Sequence, residues 1–299
     1  MPPATSTAPC WPWTAARRPA TSRAGTAPTS DRARCSKPAP TAHPNDPSIL
    51  HSTEMNNLFD LRGERILVTG AGGSIGGAAA RVCATLGAEL YIADLQSPAE
   101  LARELGAKAA FALDNTRRDD VQAVVRDIGG SLDALIDTSG YYVKGDWLDG
   151  GDDWEELFAR TMDINVKGPV NLVRAVLPAM MERKQGRIVL TSSMAARNAG
   201  STLAVEPAYA ASKGALSTLV RYFARQAAAS GVVVNGVAPG PILTPLLVSA
   251  NQPFALDSYP MKRFGQPEEI GWPAAFLASR GATFTTGAVL DVNGGMCFA

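Results

Sequence analysis

The sequence of 299 residues contains only two histidines, His43 and His51, and both precede residue 55. Its four cysteines show no C-x-x-C spacing, and two of them, Cys10 and Cys35, lie in the same N-terminal stretch. Without a histidine in the remaining chain, a Ser-His-Asp or Cys-His mechanism and a histidine-liganded metal are excluded there. The cysteine pattern predicts neither a disulfide framework nor a zinc site, so we expect no bound metal.

The sequence also lacks an excess of charge and a long apolar run. It has 28 basic and 28 acidic residues, and the part after residue 54 has no basic cluster. We therefore expect no nucleic-acid partner. No apolar run approaches the roughly 18 to 20 residues that span a bilayer. We expect no membrane insertion and predict a cytoplasmic protein.

Residues 1–54 differ in composition from the rest of the chain. They hold 10 of the 21 prolines, and Ala, Pro, Ser and Thr together fill 34 of these 54 positions. Such a segment cannot bury enough apolar surface to offset its chain entropy. We therefore predict a disordered leader over residues 1–54 and one folded domain over residues 55–299. A natural start at Met55, a targeting peptide and a functional arm are the alternatives for the leader.

Short apolar runs alternate with longer amphipathic stretches from Arg65 onward. The runs are nearly continuous in hydrophobicity, as expected for parallel strands that are covered on both faces. The alternation predicts a single α/β domain with a doubly wound, parallel, seven-stranded sheet of the Rossmann type. The predicted strands are 65–69, 89–93, 108–113, 132–136, 187–191, 232–237 and 288–292, and the predicted helices are 75–86, 98–105, 117–128, 153–184, 209–229 and 267–279.

A glycine cluster, TGAGGSIGG at 69–77, follows the first predicted strand directly. Glycines allow a tight turn and a close approach to a pyrophosphate, and the next helix offers its N-terminal amides to the anion. A plain strand–helix turn could use the same glycines. However, Asp94 closes the second predicted strand, 24 positions after Gly70. A carboxylate there accepts hydrogen bonds from the adenosine ribose and repels a 2′-phosphate, so NAD is favoured over NADP.

Tyr209 and Lys213 are four residues apart in a predicted helix, so the phenol and the ammonium share one helix face. Taken alone, this spacing is common among exposed pairs. Ser193 stands 16 residues earlier, at the end of an apolar strand, where open α/β sheets bind their ligands. Asn165 lies further upstream in a long amphipathic stretch, and VNGVAPGP at 234–241 closes another strand.

This ordered set of motifs resembles the short-chain dehydrogenase/reductase family over about residues 60–297. The resemblance implies an oxidoreductase that transfers hydride between a nicotinamide cofactor and a secondary alcohol or ketone. It implies that Tyr209 is the general acid/base and that Ser193 hydrogen-bonds the substrate oxygen. The positive charges of Lys213 and of the oxidised nicotinamide would lower the pKa of the phenol, and Lys213 would also hold the nicotinamide ribose. Asn165 would hold a water that relays protons from Lys213.

The resemblance also implies cofactor contacts from the glycine loop to the segment after the sixth strand. Two positions depart from the family pattern, because Ser74 replaces the middle glycine of T-G-x-x-x-G-x-G and DTSG at 137–140 replaces N-N-A-G. An ionised Asp137 cannot donate an amide hydrogen bond, so strand geometry or cofactor affinity differs unless the change is a tolerated variant. Besides Tyr209 and Lys213, the implied cofactor residues are Gly70, Gly73, Ser74, Ile75, Gly76, Asp94, Asp114, Asn115, Asp137, Ser139, Gly140, Pro239, Ile242 and Thr244.

Substrate choice is expected to depend on residues 241–263 and on the loops after Gly140 and Ser193. Their side chains indicate a pocket for a polyol, a cyclic alcohol or an acid, although they could equally pack a lid. MNNLFDLRG at 55–63 is similar to bacterial sugar-acid dehydrogenases of the family, such as gluconate 5-dehydrogenase. Two alternatives stay open: a 3-oxoacyl thioester reductase, against whose usual NADPH preference Asp94 argues, and a catalytically silent NAD-binding regulator. The side chains expected to line the substrate pocket or pack the lid are Leu243, Leu246, Leu247, Phe254, Tyr259, Tyr141, Tyr142, Lys144 and Trp147.

The stretches 165–181 and 209–229 carry apolar residues beyond one core-facing stripe. Excess apolar helix surface can mark an interface, and the family commonly pairs these helices in dimers and tetramers. We therefore expect a homo-oligomer, a dimer or a homotetramer, that acts on a small-molecule substrate. The apolar residues concerned are Leu172, Val176, Met180, Leu216, Leu219, Tyr222 and Phe223.

Overall fold

In the computed structural model, the apolar runs of the sequence form one sheet of seven parallel strands. The strand order is 3-2-1-4-5-6-7, so the direction of winding reverses between β1 and β4. Helices cover both faces, which is why most strand residues are buried. The predicted doubly wound Rossmann-type sheet is confirmed. The strands are β1 (Arg65–Thr69), β2 (Glu89–Asp94), β3 (Ala109–Ala112), β4 (Ala134–Asp137), β5 (Gly186–Thr191), β6 (Val232–Pro239) and β7 (Val289–Val292).

The structure describes residues 58–129, 131–142, 147, 153–200, 205–245, 247 and 256–298. These residues belong to one compact unit, Leu50–Ala299. The predicted leader over residues 1–54 lies outside the described residues and stays a prediction. Lys144, Leu246 and Phe254, which were among the predicted substrate-loop residues, also lie outside them.

The helices follow the predicted amphipathic stretches to within a few residues. A short helix after β5 is an addition that the sequence pattern did not predict. None of the helices in the described ranges has the length and apolar character to cross a membrane. The α-helices are α1 (Ser74–Thr85), α2 (Ala99–Leu105), α3 (Arg118–Asp127), α4 (Trp154–Met162), α5 (Gly168–Glu182), α6 (Ala195–Asn198), α7 (Pro207–Ala227) and α8 (Glu268–Leu277).

The long helix predicted at 153–184 is interrupted by one π-helical turn, Asp163–Lys167, between α4 and α5. Pro169, in the first turn of α5, has no N–H. It therefore cannot donate the usual α-helical hydrogen bond to the carbonyl of Asn165. A π-turn changes the phase of a helix and is frequent at functional sites. Here it contains Asn165, whose exposure is 0%.

Two apolar clusters pack on opposite faces of the sheet, because successive side chains of a strand point to opposite faces. Ile66 and Val68 of β1 belong to the cluster that includes Ile270 of α8. Leu67, between them, belongs to the other cluster, which includes Leu172 of α5. The two clusters fix the carboxyl ends of the strands relative to one another.

The apolar residues of α5 and α7 that predicted an interface mostly belong to this core. The prediction that these residues mark an intersubunit surface is therefore wrong for all of them except Tyr222, which is 56% exposed. Both helices need a wide apolar face because they pack against the sheet and against neighbouring helices. The expected homo-oligomer stays a prediction without this support. The residues in the core are Leu172, Val176, Met180, Leu216 and Phe223, with Leu219 packed against it.

A buried ion pair joins the amino ends of the central strands. Glu64, which precedes β1, accepts a hydrogen bond from Arg187 of β5, and both side chains are less than 5% exposed. The second oxygen of Glu64 accepts from Nε of Arg280 at 2.8 Å. One carboxylate therefore pairs with two guanidinium groups from distant parts of the chain.

Loss of the Glu64 charge is expected to destabilise the fold, because Arg187 would stay buried without its counter-charge. We expect Glu64→Gln to lower the free energy of unfolding in urea by about 3–5 kcal/mol. The matched control is Glu104→Gln, whose partner Arg81 is 46% exposed. For an exposed pair the loss should be below about 1 kcal/mol. Equal losses for the two variants would contradict a structural role of the buried pair.

Candidate active site

A cavity of about 1000 Å³ lies beyond the carboxyl ends of β1 to β4. It includes the point between β1 and β4 where the winding reverses, which is where open α/β sheets bind ligands. Within the described ranges, no group of three or more His, Cys, Asp or Glu side chains could hold a metal ion. The predicted cofactor residues on the cavity wall are Gly70, Gly73, Asp94, Asp114, Asn115, Ser139 and Gly140.

The glycine loop has two positions that admit no side chain. A Cβ atom on Gly76 would lie 2.0 Å from the carbonyl oxygen of Gly70, so the start of α1 packs directly on the loop. Gly70 itself has φ +73°, and a Cβ there would lie 2.6 Å from the Ser139 nitrogen. α1 has no acidic residue in its first turn, so its N-terminal end is free to attract an anion. The loop therefore fits a dinucleotide phosphate.

Ser74, the departure from the family's middle glycine, is the first residue of α1. A helical position admits any L-residue, so this serine does not obstruct the loop. Ile75, the next predicted cofactor residue, packs against the apolar cluster under the sheet. The departure therefore falls at a position where a side chain is tolerated.

Asp94 is at the end of β2, beside the glycine loop. Its Oδ2 accepts a hydrogen bond from the Gly72 amide at 2.9 Å, and its Oδ1 accepts from the Leu95 amide at 2.7 Å. Each carboxylate oxygen keeps a further lone pair for a hydroxyl donor. The carboxylate is thus fixed at the wall of the cavity, where it can receive a diol.

The other polar residues of the wall connect the ends of β3 and β4. Asp114 accepts from the amide and hydroxyl of Thr116 at 2.9 and 2.7 Å. Asn115 donates to the Ser139 hydroxyl at 2.9 Å, and its carbonyl accepts from Asn171 at 3.0 Å. These bonds hold both loops in one arrangement, so Asn115 acts mainly on the shape of the wall.

Three predicted catalytic side chains converge beside Gly140. Lys213 lies with its Nζ 5.8 Å from the ring centroid of Tyr209 and donates to the Thr191 carbonyl at 2.8 Å. Ser193, just after β5, hydrogen-bonds the phenol of Tyr209. Lys213 Nζ is also 3.4 Å from the position that a Cβ on Gly140 would take. The cluster therefore adjoins the end of the cofactor cavity.

Burial determines the acidities in this cluster. It lowers the pKa of Lys213 to about 8, against an opposing effect of Asp137. It raises the pKa of Tyr209, and the hydrogen bond from Ser193 only partly offsets this. The sequence led us to expect a lowered pKa for the phenol. In the protein alone, the loss of solvent around the hydroxyl outweighs the hydrogen bond from Ser193.

Asn165 joins the loop after β4 to α7. Its Oδ1 accepts from the Tyr141 amide at 2.7 Å, and its Nδ2 donates to the Tyr141 carbonyl at 2.9 Å and to Ser212 at 3.0 Å. Both amide hydrogens are therefore used within the protein. The main-chain carbonyl of Asn165 receives no hydrogen bond from Pro169, which makes it a candidate acceptor for the predicted water. The relay itself stays a prediction.

The remaining predicted cofactor residues lie off the wall of the main cavity. Pro239 ends β6, and its carbonyl accepts from the Met194 amide at 2.9 Å. Ile242 pairs with Gly265 and lines a second cavity of about 330 Å³. Thr244 accepts from the Leu247 amide at 3.3 Å. These residues border the segment expected to choose the substrate.

Asp137 also lies off the cavity, buried at the end of β4 with 1% exposure. It accepts from Thr69 at 2.8 Å and from the Ser139 amide at 3.0 Å, and it hydrogen-bonds the Ser139 hydroxyl. The structure therefore places it behind the cavity wall, one strand away from the Thr191 carbonyl that accepts a hydrogen bond from Lys213.

The sequence motifs did not identify Ser212, Glu156 or Arg160 as residues of the site. Ser212 links Asn165 to the carbonyl of Tyr209, which it reaches at 2.8 Å. Arg160 lines the cavity together with Glu156 and stacks on Tyr141, with its guanidinium carbon 4.7 Å from the ring centroid. The (i, i+4) spacing of Glu156 and Arg160 could have placed them on one helix face.

Comparisons with known proteins agree with this fold and site. The family model described as Enoyl-(Acyl carrier protein) reductase matches residues 70–297. Oxidoreductase UcpA of Salmonella typhimurium is 36% identical over 256 residues, which cover 79% of this chain and 95% of that protein. The chain belongs to the short-chain dehydrogenase/reductase family.

Two solved structures are similar to the chain, each at 30% identity and a TM-score of 0.73. One is a 3-oxoacyl-[acyl-carrier protein] reductase from Brucella melitensis with bound NAD, with coverage of 83% of this chain and 97% of that one. The other is described as an NAD(P)-dependent gluconate 5-dehydrogenase from Beutenbergia cavernae with NADP at low occupancy, with coverage of 80% and 98%. The family uses nicotinamide cofactors, and both forms occur among these neighbours.

A side chain at Gly76 should disrupt nucleotide binding, because its Cβ would overlap the carbonyl of Gly70. We expect Gly76→Ala to weaken NADH binding about 10- to 100-fold, as measured by the fluorescence of the bound nucleotide. Gly214→Ala is the control, since a Cβ there meets nothing within 4 Å. Native affinity in Gly76→Ala would contradict the packing described for the loop.

Proposed function

We propose that the protein transfers hydride between NAD(H) and a secondary alcohol or ketone of a small sugar acid, polyol or cyclic alcohol. The convergence of Tyr209, Lys213 and Ser193 beside Gly140 carries this proposal. A bound nicotinamide supplies or accepts the hydride, and the protein's own residues manage the accompanying proton. The chemistry needs no histidine and no metal, in agreement with the composition.

Tyr209 is the group that exchanges a proton with the substrate oxygen. Because burial raises the pKa of its phenol, the hydroxyl is protonated at neutral pH and can act as the acid in ketone reduction. In the reverse direction, the positive charge of Lys213 favours the phenolate that accepts the proton. Ser193 has a hydroxyl hydrogen to donate to the same substrate oxygen.

Lys213 has a second role that follows from its hydrogen bonds. One of its three N–H groups is used by the Thr191 carbonyl, which leaves two to hold ribose hydroxyls. Protons would return to Tyr209 through Lys213 and a water at the Asn165 carbonyl.

The choice of NAD rests on Asp94. Its carboxylate is fixed beside the glycine loop, where it would accept hydrogen bonds from a ribose diol and repel a 2′-phosphate. Since the two solved neighbours have different nicotinamide cofactors, this residue of the chain is the better guide.

Polar aromatic side chains beside the catalytic cluster support a hydroxylated substrate. The ring of Tyr142 lies edge-on to Tyr209 with centroids 5.0 Å apart. Burial raises the pKa of the Tyr142 phenol, and the charge of buried Glu206 raises it further. The likeness to a gluconate 5-dehydrogenase agrees with a sugar-acid or polyol substrate.

A 3-oxoacyl thioester reductase is the second candidate, favoured by the likeness to the 3-oxoacyl reductase from B. melitensis. The same catalytic residues would serve that reaction, so only the substrate distinguishes the two. The intact catalytic residues disfavour a silent NAD-binding regulator. The cytoplasmic location and the homotetramer remain predictions.

Removal of the phenolic hydroxyl should abolish turnover and spare cofactor binding. We expect Tyr209→Phe to lower kcat about 100- to 10,000-fold, with the Kd for NADH within about twofold of native. Tyr222→Phe, on the exposed side of the same helix, is the matched control and should retain activity. Substantial turnover by Tyr209→Phe would overturn the assigned role.

The substrate class can be determined by following NADH absorbance with sugar acids, polyols, cyclic alcohols and 3-oxoacyl thioesters. Each substrate is tested with NAD(H) and with NADP(H). Turnover of hydroxylated small molecules with NAD(H) is the expected result. Turnover confined to thioesters would establish the second candidate instead.

The charge of Asp94 should set the cofactor preference. We expect Asp94→Asn to lower the ratio of kcat/KM for NAD to that for NADP by at least about tenfold, because a charge-assisted hydrogen bond and a repulsion are both lost. Asp127→Asn, at an exposed position of α3, should leave the ratio unchanged. An unaltered ratio in Asp94→Asn would exclude this carboxylate as the determinant.

A further inference from the structure

The carboxyl group of Asp137 is buried behind the cavity wall and takes no direct part in the proton transfer by Tyr209. Asp137 takes its hydrogen bonds on one oxygen: Oδ1 bonds the hydroxyls of Thr69 and Ser139 and the Ser139 amide. Its other oxygen, Oδ2, is buried and has no hydrogen-bond partner in the described part of the chain. A carboxylate in this position is costly to bury unless a positive charge compensates it.

The compensating charge is that of Lys213. Its side chain is also buried, with 3% exposure, and its hydrogen bond goes to the neutral carbonyl of Thr191. Asp137 pairs with Leu190 of β5, the neighbour of Thr191, so the two buried groups are on adjacent strands. Burial raises the pKa of Asp137 and lowers the pKa of Lys213, and the attraction between the two charges opposes both shifts. Their attraction is stronger than at the surface because both side chains are buried.

We propose that Asp137 is a positioning residue for the reaction: it is the counter-charge that keeps the Lys213 ammonium protonated within the working pH range. This inference rests on the proposed function, since the ammonium matters through Tyr209 and the ribose. Asp137 acts through Lys213, because it lies off the cavity and touches neither substrate nor cofactor.

The other groups around Lys213 cannot supply this charge. Thr191 at the end of β5, Ser193 just after it, Asn165 from the π-turn and Thr69 from β1 are neutral. The titratable neighbours are Tyr209 on the same helix, Tyr142 against Tyr209, and Glu206, whose charge acts on Tyr142. Among the described residues, Asp137 is the one carboxylate whose charge acts on Lys213.

The sign of the effect follows from these contacts. Burial lowers the pKa of Lys213 to about 8, and Asp137 opposes that decrease. A neutral side chain at position 137 would therefore lower the pKa of Lys213 further, and the ammonium would be lost nearer neutral pH. Asparagine is nearly isosteric, and its oxygen can still accept from Thr69 and the Ser139 amide.

The test compares the pH dependence of ketone reduction by the full-length native protein and Asp137→Asn. We expect the alkaline decline of kcat to move to lower pH by about one pH unit, with kcat near pH 6 within about twofold of native. Asp127→Asn should reproduce the native profile. Loss of packing alone would lower kcat at every pH, and that result would overturn the proposal.

A second measurement reads the ionisation of Lys213 without turnover. The ¹³Cε resonance of Lys213, assigned by its absence in Lys213→Arg, is titrated in both proteins, and we expect the same downward displacement in Asp137→Asn. If neither the resonance nor the profile moves, Asp137 is not the counter-charge. Should the native protein reduce no ketone, the proposed function fails, while the titration still decides the role of Asp137.

Asp137→Ser provides a neutral side chain of another shape if asparagine disturbs the fold. Circular dichroism of each variant establishes that it is folded before titration. The resonance of Lys213 must move downward in this variant too, and a native titration in folded Asp137→Ser would refute the inference.

Discussion

The close contact between the glycine loop and the end of β4 is the constraint on which the site depends. Gly70 and Gly76 bring β1, α1 and the loop after β4 so near to one another that a single added carbon would overlap backbone atoms. The cavity opens at this place because the winding of the sheet reverses between β1 and β4. Nucleotide and catalytic groups can therefore share one edge of the sheet only while these positions stay free of side chains.

The end of β4 then connects the two halves of the site. On one side, Ser139 bonds Asn115 at the cavity wall. On the other side, Gly140 lies against the ammonium of Lys213. Asp137 begins the same four-residue segment and interacts with both Ser139 and Lys213. A change in this segment would act on cofactor binding and on proton transfer together, although it would touch neither reacting group.

Much of this arrangement could be predicted because it is encoded locally. Strand periods predicted the sheet, and the order of motifs singled out Ser193, Tyr209 and Lys213, which converge in the structure. The π-turn around Asn165 could not be predicted from an amphipathic period, because one extra residue shifts the phase of the pattern without interrupting it. The apolar residues of α5 and α7 also led to a wrong prediction, that of an intersubunit surface. The width of the apolar stripe shows how many neighbours cover a helix, but it does not tell whether they belong to the same chain.

The scarcity of histidine has a physical consequence for the whole centre. The unperturbed pKa of an imidazole is near neutral pH. A phenol and an ammonium titrate there only when their surroundings shift their pKa values. Burial brings the pKa of Lys213 to about 8, but it moves the phenol of Tyr209 the opposite way. Burial alone therefore makes the ammonium easier to deprotonate and the phenol harder to deprotonate. A nearby charge is needed to keep the ammonium protonated. A carboxylate buried behind the cavity wall holds the ammonium in its charged form without occupying the space that substrate and ribose require.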